Sequence, residues 1–424
     1  MGSILLKDIT LEGARKDILI EKGLISRIGP AGACACWELC GDIEIMNCSG
    51  KVAIPGFVNM HVHSPMTLMR GVGEDIKFHE WLSRIWDVEK GIDPDYVYWA
   101  TKVACLEMIR TGTTTFNDHY WLSPYSQKAA VEMGLRIATG YEVMDKGDPA
   151  EAERQKEQCI RMWEEHGDNW GGQSIYQVAF HAIYSVSEPL MVWISEFARS
   201  HGINLHIHLS ETQKEVTDCK EQHGGLSPVE YLDALGILGP NLIAAHTLWV
   251  SGHDIELLAS RGVHCVHNIN SNTKLASGYR FLYNELRDAG ANICIGTDGC
   301  ASSNNLDMLE AMKTTAIFQK AWRDDPSALP LPELLDMATI NGARALKINS
   351  GRIVEGAVAD ISIVETDNSF FLSPAPFLAN LVYSAHSDCI DSVIVDGRFV
   401  MRHREIKGEQ EIYSQARNVL SKIS

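Results

Sequence analysis

Short apolar runs recur along the middle of the chain, and each is followed by a longer segment with helical periodicity. Eight such runs occupy residues 53–63, 113–118, 136–143, 176–182, 203–209, 241–248, 262–269 and 292–298. In following segments such as 94–111 and 307–320, apolar residues recur every three or four positions, as on one face of a helix. Alternation of strand and helix is typical of parallel β/α units, and eight units close a barrel. The pattern predicts an α/β fold, a (β/α)8 TIM barrel, over residues 55–349.

The two ends of the chain have a different pattern. Residues 17–25, 356–364 and 392–400 alternate apolar and polar positions in short runs next to glycine, which is typical of β-hairpins. Neither end holds enough strands to bury a core alone. We therefore expect residues 1–54 and 350–424 to pair with each other as a small β-sandwich beside the barrel.

The charge composition of the chain limits the classes of partner that it can bind. The chain has 424 residues, 37 basic and 55 acidic, for a net charge of −18. This balance argues against nucleic acid or an anionic membrane as a partner and favours a small-molecule substrate. Residues 1–15 lack the apolar core of a signal peptide, and no run of about 18 apolar residues occurs, so we expect a cytoplasmic protein. Whether it forms a homo-oligomer is left open.

Polar residues with metal-binding chemistry end several of the predicted strands, where the active site of a barrel lies. The residues in question, on runs one, five, six and eight, are His61, His63, His206, His208, His246 and Asp298. Imidazole and carboxylate ligands without thiolate suit Zn²⁺, with Fe²⁺ as the second choice. His206 and His208 point to the same side of their strand, so spacing alone does not choose between them. The end of the fourth run, residues 179–182, has no lysine that could bridge a second metal, which predicts one ion per subunit.

Five motifs carry a resemblance to a known family. They are PGFVNMHVH at 55–63, HIHLSET at 206–212, HT at 246–247, SNTKLASG at 271–278 and GTDG at 296–299. These motifs resemble the amidohydrolase superfamily, in particular its 5′-methylthioadenosine/S-adenosylhomocysteine and 5′-deoxyadenosine deaminases, along essentially the whole chain. The resemblance implies that His61, His63, His208 and Asp298 are the metal ligands.

The same resemblance implies hydrolytic deamination of an adenosine-type nucleoside to its inosine analogue and ammonia. A metal lowers the pKa of a bound water, and Asp298 accepts the proton of that water. His246 orients the water, and Glu211 protonates the ring nitrogen beside the amino-bearing carbon.

Three further residues are implied to contact the substrate. Glu89 would accept hydrogen bonds from the ribose 2′- and 3′-hydroxyls, Trp86 would pack on the ligand, and His181 would contact the purine ring. From the residues alone, segment 78–89 is equally readable as an amphipathic surface helix, and Trp81 is an alternative to Trp86. The roles of His119 and His267 stay open.

Alternatives within the fold are deaminases or chlorohydrolases of guanine, a pterin or an s-triazine, whose metal motifs overlap with these. A heterocycle without a ribose has no diol for Glu89 to bind, so the role of Glu89 distinguishes nucleoside deaminases from these alternatives. A catalytically inactive binding scaffold of the same fold is the alternative from another class. Other zinc deaminases need C-x-x-C and zinc proteases need H-E-x-x-H; neither motif is present in the chain.

Overall fold

The fold was obtained as a computed structural model that describes residues 2–37, 43–167 and 170–421. Its strands form two separate sheets. The strands are β1 (Ser3–Leu11), β2 (Ala14–Glu21), β3 (Leu24–Pro30), β4 (Ile43–Asn47), β5 (Lys51–Pro55), β6 (Phe57–Val62), β7 (Thr113–Asp118), β8 (Arg136–Val143), β9 (Ser174–Phe180), β10 (Asn204–Leu209), β11 (Leu242–His246), β12 (His264–His267), β13 (Asn292–Ile295), β14 (Ile361–Glu365), β15 (Ile390–Val395) and β16 (Arg398–Met401).

Strands β6 to β13 lie side by side in chain order, and all are parallel. The first and last strands meet at a seam, where the Asp298 amide donates to the His61 carbonyl at 2.9 Å. Beside it, the Asn59 side-chain amide donates to Thr297 Oγ1 at 2.7 Å. The sheet therefore forms a nearly closed barrel, and the predicted fold class is confirmed.

The α-helices of the described residues are α1 (Phe78–Glu89), α2 (Pro94–Arg110), α3 (Ser123–Met133), α4 (Pro149–His166), α5 (Glu188–Ser200), α6 (Gln213–Gln222), α7 (Pro228–Ala234), α8 (Gly252–Ser260), α9 (Ile269–Lys274), α10 (Tyr283–Asp288), α11 (Cys300–Ser303), α12 (Met308–Arg323), α13 (Leu331–Met337), α14 (Ile340–Ala345), α15 (Phe377–Ala379) and α16 (Glu409–Leu420). Helices α1 to α14 follow the barrel strands in the chain, and α15 and α16 belong to the C-terminal segment. Helices α2 and α12 begin where the side chains of Asp93 and Asp307 accept backbone amides, as N-caps do. No helix in the described part of the chain is long and apolar enough to cross a membrane.

The chain ends build the second sheet together. Its strand order is β16-β15-β14-β5-β1-β2-β3, and β4 also pairs with β1. Strand β5 from the N-terminal segment pairs antiparallel with β14 from the C-terminal segment. The predicted run 53–63 in fact contains parts of two strands, because the chain passes from this sheet to the barrel at Gly56. A Cβ there would lie 2.1 Å from Thr114 Cγ2, so a larger residue would not fit. The boundaries at residues 54 and 350 stay predictions.

Candidate metal and substrate site

The four side chains that the resemblance singles out as ligands converge at the C-terminal edge of the barrel. Nε2 of His61 and Nε2 of His63 lie 3.3 and 3.2 Å from the same oxygen, Oδ1 of Asp298. Nε2 of His208 lies 3.2 Å from Nε2 of His63. The side chains of His61 and Asp298 are 0% and 8% exposed, so water does not solvate this cluster freely.

Hydrogen bonds made by the Nδ1 atoms determine which nitrogen of each imidazole faces the centre of the ligand cluster. Nδ1 of His63 lies 2.7 Å from the His119 carbonyl oxygen, and Nδ1 of His208 lies 2.8 Å from the His181 carbonyl oxygen. A carbonyl only accepts, so each Nδ1 carries the hydrogen and each Nε2 presents a lone pair to the centre. Nε2 of His61 is buried and has no hydrogen-bond partner among the described residues. Three imidazole nitrogens and one carboxylate oxygen are the donor set that Zn²⁺ accepts, so the residues fit a divalent metal.

His206 occupies a different position from His208. Its Nε2 lies 2.9 Å from Nδ1 of His61, on the side of that ring away from Asp298. With Nε2 of His61 as a metal ligand, Nδ1 would carry the ring hydrogen and donate it to Nε2 of His206. His206 thus lies where it orients His61 from behind.

The backbone is strained where these side chains are presented. Ser210, His246 and Asp298 have φ values of 52°, 73° and 63°, in the left-handed region that non-glycine residues rarely adopt. Hydrogen bonds hold the segment after β10 in place, because Glu215 accepts the amides of Ser210 and Glu211, each at 2.8 Å. In this backbone conformation the side chains of His246 and Asp298 face the cavity.

Burial and the charge of Asp298 raise the pKa of Glu211 well above its usual value. Burial opposes a low pKa at Asp298, but contacts with His61 and His63 hold it well below its usual value. The Ser302 hydroxyl donates to Oδ2 of Asp298 at 2.9 Å. The site therefore keeps one carboxyl protonated and the other ionised.

His246 lies between these two acids. The Asn272 side-chain amide donates to Nδ1 of His246 at 2.9 Å, so the hydrogen of the neutral ring is on Nε2. Nε2 lies 3.8 Å from Oε2 of Glu211. Burial lowers the pKa of His246 to about 3, which keeps the ring neutral.

The same cavity also contains the three residues implied to contact the substrate. Glu89 is the last residue of α1, and its Oε1 accepts the Tyr120 hydroxyl at 3.0 Å. Burial raises the pKa of Glu89 to about 8. The ring centres of Trp86 and His181 are 6.0 Å apart, and all three side chains line the cavity with the ligand cluster. Trp81 also lines it, with its indole N–H 3.3 Å from the Ala301 carbonyl oxygen.

Sequence reasoning missed Glu142, which lines the cavity near the end of β8. Its position at the C-terminal end of a barrel strand was the available signal, since the same criterion found the other residues. His119 also lines the cavity, whereas His267 is buried against Phe281 and is not among the lining residues.

Comparisons with known proteins agree with this geometry. A model of the amidohydrolase family matches residues 52–400. A Methanoregula boonei protein named 5′-deoxyadenosine deaminase is 42% identical over 388 residues, 90% of this chain and 87% of the relative. A Thermococcus sibiricus protein named 5-methylthioadenosine/S-adenosylhomocysteine deaminase is 39% identical over 92% of this chain and 91% of its own. The crystal structure of an adenosine deaminase from Xanthomonas campestris with bound zinc superposes with a TM-score of 0.88 at 30% identity, covering 99% of this chain and 98% of that chain.

Proposed function

Because the chain belongs to the amidohydrolase family, we propose that it is a metal-dependent hydrolytic deaminase of adenosine-type nucleosides. The products are the inosine analogue and ammonia. The observation that carries this proposal is one cavity that holds a His₃Asp donor set, the buried Glu211, whose pKa is raised, and Glu89. Relatives at 39–42% identity that are named as adenosine-type deaminases support it.

His61, His63, His208 and Asp298 would hold the metal. The donor set and the zinc-containing adenosine deaminase structure favour Zn²⁺, with Fe²⁺ as the second choice and one ion per subunit. Bound there, the metal would polarise a water molecule and lower the pKa of that water toward neutrality.

The chain's own residues then move and hold protons. Asp298, kept ionised, receives the proton that the attacking water loses. His246 donates its Nε2 hydrogen to the attacking oxygen and so orients it, because its Nδ1 is occupied by Asn272. Glu211, kept protonated by burial, donates to the ring nitrogen beside the amino-bearing carbon. This prevents negative charge from building up on the purine. The proton held by Asp298 then passes to the amino group, the C–N bond breaks and ammonia leaves, and the proton of the added hydroxyl returns to Glu211.

Three further residues of the cavity would orient the substrate. Glu89 would accept hydrogen bonds from the ribose 2′- and 3′-hydroxyls, Trp86 would pack on the ligand and His181 would contact the purine ring. Nδ1 of His181 lies 2.7 Å from the Ser185 hydroxyl, whose hydrogen is given to the Ala182 carbonyl at 3.1 Å. Nδ1 therefore donates, and Nε2 is left as an acceptor.

The proposal is tested by metal analysis together with ammonia release from adenosine, 5′-deoxyadenosine, methylthioadenosine, S-adenosylhomocysteine, guanine and a pterin. We expect about one zinc or iron per chain and turnover of the nucleosides. Turnover of guanine or the pterin alone would overturn the substrate class, and a metal-free, inert protein would support a binding scaffold.

The ribose contact has its own test. Glu89→Ala should lower kcat/KM for nucleosides about tenfold or more, because each nucleoside loses the hydrogen bonds between its ribose hydroxyls and the Glu89 carboxyl group. Turnover of free adenine, which has no ribose, should change far less. An equal loss for both compounds would contradict the role of Glu89. The cytoplasmic location and any homo-oligomer stay predictions.

A further inference from the structure

Glu142 is a buried carboxylate that the proposed mechanism does not use. It lies one residue before the end of β8 and is 9% exposed, with its side chain on the wall of the catalytic cavity. Nε2 of His119 is 3.2 Å from its Oε1, but neither ring nitrogen of His119 has the alignment of a hydrogen bond. A carboxylate so enclosed loses its hydration and is stabilised only when another donor reaches it.

Glu142 lies where the catalytic cavity meets a second, outer cavity, which we call the vestibule. The two cavities share Trp86, Glu89, Trp121, Glu142 and Met144 as lining residues. The vestibule extends from there along the start of α4. The vestibule therefore offers space beyond the catalytic cavity for a group that projects from the ribose.

The other acidic side chains of the vestibule already accept hydrogen bonds from groups of the protein. Tyr120 donates to Glu89, Ser187 donates to Asp145, and the Ala150 amide donates to Asp148. Glu151 accepts two hydrogen bonds from Arg154. Within the described part of the chain, Glu142 is the vestibule carboxylate that no side chain or backbone amide hydrogen-bonds.

The nearby cations do not neutralise it. The Lys146 ammonium lies 4.1 Å from the centre of the Trp86 ring, and no carboxylate of the described residues is within ion-pair distance of it. Lys90 pairs with Asp87 at 2.7 Å. The junction therefore presents to the ligand a carboxyl group that accepts no hydrogen bond from the described residues, with only the misaligned Nε2 of His119 beside it at 3.2 Å.

We propose that Glu142 recognises a hydrogen-bond donor or a positive charge on the 5′ carbon of the nucleoside. The inference rests on the proposed function, because it takes the diol as bound by Glu89. Oε1 of Glu89 already accepts the Tyr120 hydroxyl, and the carboxyl group has acceptor sites left for the two ribose hydroxyls. The 5′ substituent is then the ribose group left to meet Glu142. The substrate class favoured is a nucleoside with a 5′-hydroxyl or 5′-ammonium group over one with a 5′-carboxylate.

The experiment compares kcat/KM for 5′-amino-5′-deoxyadenosine, adenosine and 5′-deoxyadenosine on the metal-loaded enzyme. In the unsubstituted enzyme we expect the 5′-amino compound to exceed 5′-deoxyadenosine about tenfold or more, since the bond joins two charged groups. Glu142→Ala should bring that ratio to about one. Glu142→Gln should keep a preference for the hydroxyl, which an amide oxygen still accepts, and lose most of the preference for the ammonium.

The matched control is Glu153→Gln, which removes one negative charge from the exposed face of the same α4 region without lining either cavity. It should leave the ratio unchanged. Each ratio is measured on one preparation, so a partly unfolded variant does not distort it. An unchanged ratio in both Glu142 variants, or an equal loss for all three compounds, overturns the inference and leaves deamination intact. Failure of the unsubstituted enzyme to deaminate any of them overturns the proposed function itself.

Discussion

At the scale of single residues, the site separates the proton affinities of two carboxyl groups. Glu211 is buried beside a like charge, whereas Asp298 is buried beside two imidazoles, so the pKa of the first rises and that of the second falls. The residue types were readable from sequence because they end strands. Their protonation was not, because it depends on neighbours that only the fold brings together.

Glu211→Gln removes the proton donor and keeps its size. We expect kcat to fall about a hundredfold or more, the usual contribution of a positioned general acid. Metal content should not change, because Glu211 is not among the proposed ligands. Glu221→Gln, at an exposed position on α6, is the control and should retain full activity. A loss of metal in Glu211→Gln would instead mean that the residue supports the ligand cluster.

Glu89 should make stability depend on pH. Burial raises its pKa from the ordinary 4.5 to about 8 in the folded chain, so the folded state binds more protons than the unfolded state between these values. The free energy of unfolding should therefore fall as pH rises through this window. Urea unfolding of the metal-loaded protein at pH 6 and 8.5 should show a smaller fall for Glu89→Gln. Glu80→Gln, exposed on the same helix, should match the unsubstituted protein.

At the scale of elements, apolar runs located all eight barrel strands, and helical periodicity located α2 and α12, whereas a helix over residues 78–89 was only the alternative to a substrate-covering loop. The run at 53–63 merged two strands because both are apolar, and the sheet change at Gly56 depends on contact with Thr114. His206 and His208 share a face, so their different depths along β10 emerged only with the fold. Glu142 was missed because an acid in a fully buried strand can face either the barrel interior or the helices.

The segment before α1 is tied to the rim of the barrel by exposed polar contacts. Nζ of Lys274 lies 2.7 Å from Oε1 of Glu74, and the Asn304 side-chain amide donates to the same oxygen at 3.3 Å. Since α1 contains Trp86 and Glu89, Glu74→Gln should raise KM several-fold with little change in kcat. The free energy of unfolding should change by less than about 1 kcal/mol, as for most exposed ion pairs. Steady-state kinetics check this, with Asp75→Asn as the neighbouring charge control. An unchanged KM would mean that these contacts do not hold α1.

At the scale of the whole molecule, one buried ion pair links the barrel to the terminal sheet. Arg136 at the start of β8 and Asp360 just before β14 are 3.2 Å apart, with side chains 5% and 0% exposed. The sequence predicted that the ends would pair beside the barrel. It did not predict this link, because the two residues are 224 positions apart.

Arg136→Met should lower the free energy of unfolding by about 3 kcal/mol or more, because it leaves the Asp360 charge buried without its cation. The double variant with Asp360→Asn should recover part of that loss. Urea unfolding measures both. A loss below about 1 kcal/mol would show that Ser350 and the Asp396 amide, which also donate to Asp360, satisfy it alone.

Because the proposed metal site lies at the seam between β6 and β13, a bound metal would also help to hold the barrel closed. His61 and Asp298 stand on the first and last barrel strands, and the backbone bond between them is part of what closes the ring. A metal ion bound by both side chains would link the two strands across that seam, and its loss would let the two strands separate locally more often. Amide hydrogen exchange at Thr297 and Asp298 would then report metal occupancy, quickening in chelator before the rest of the barrel responds.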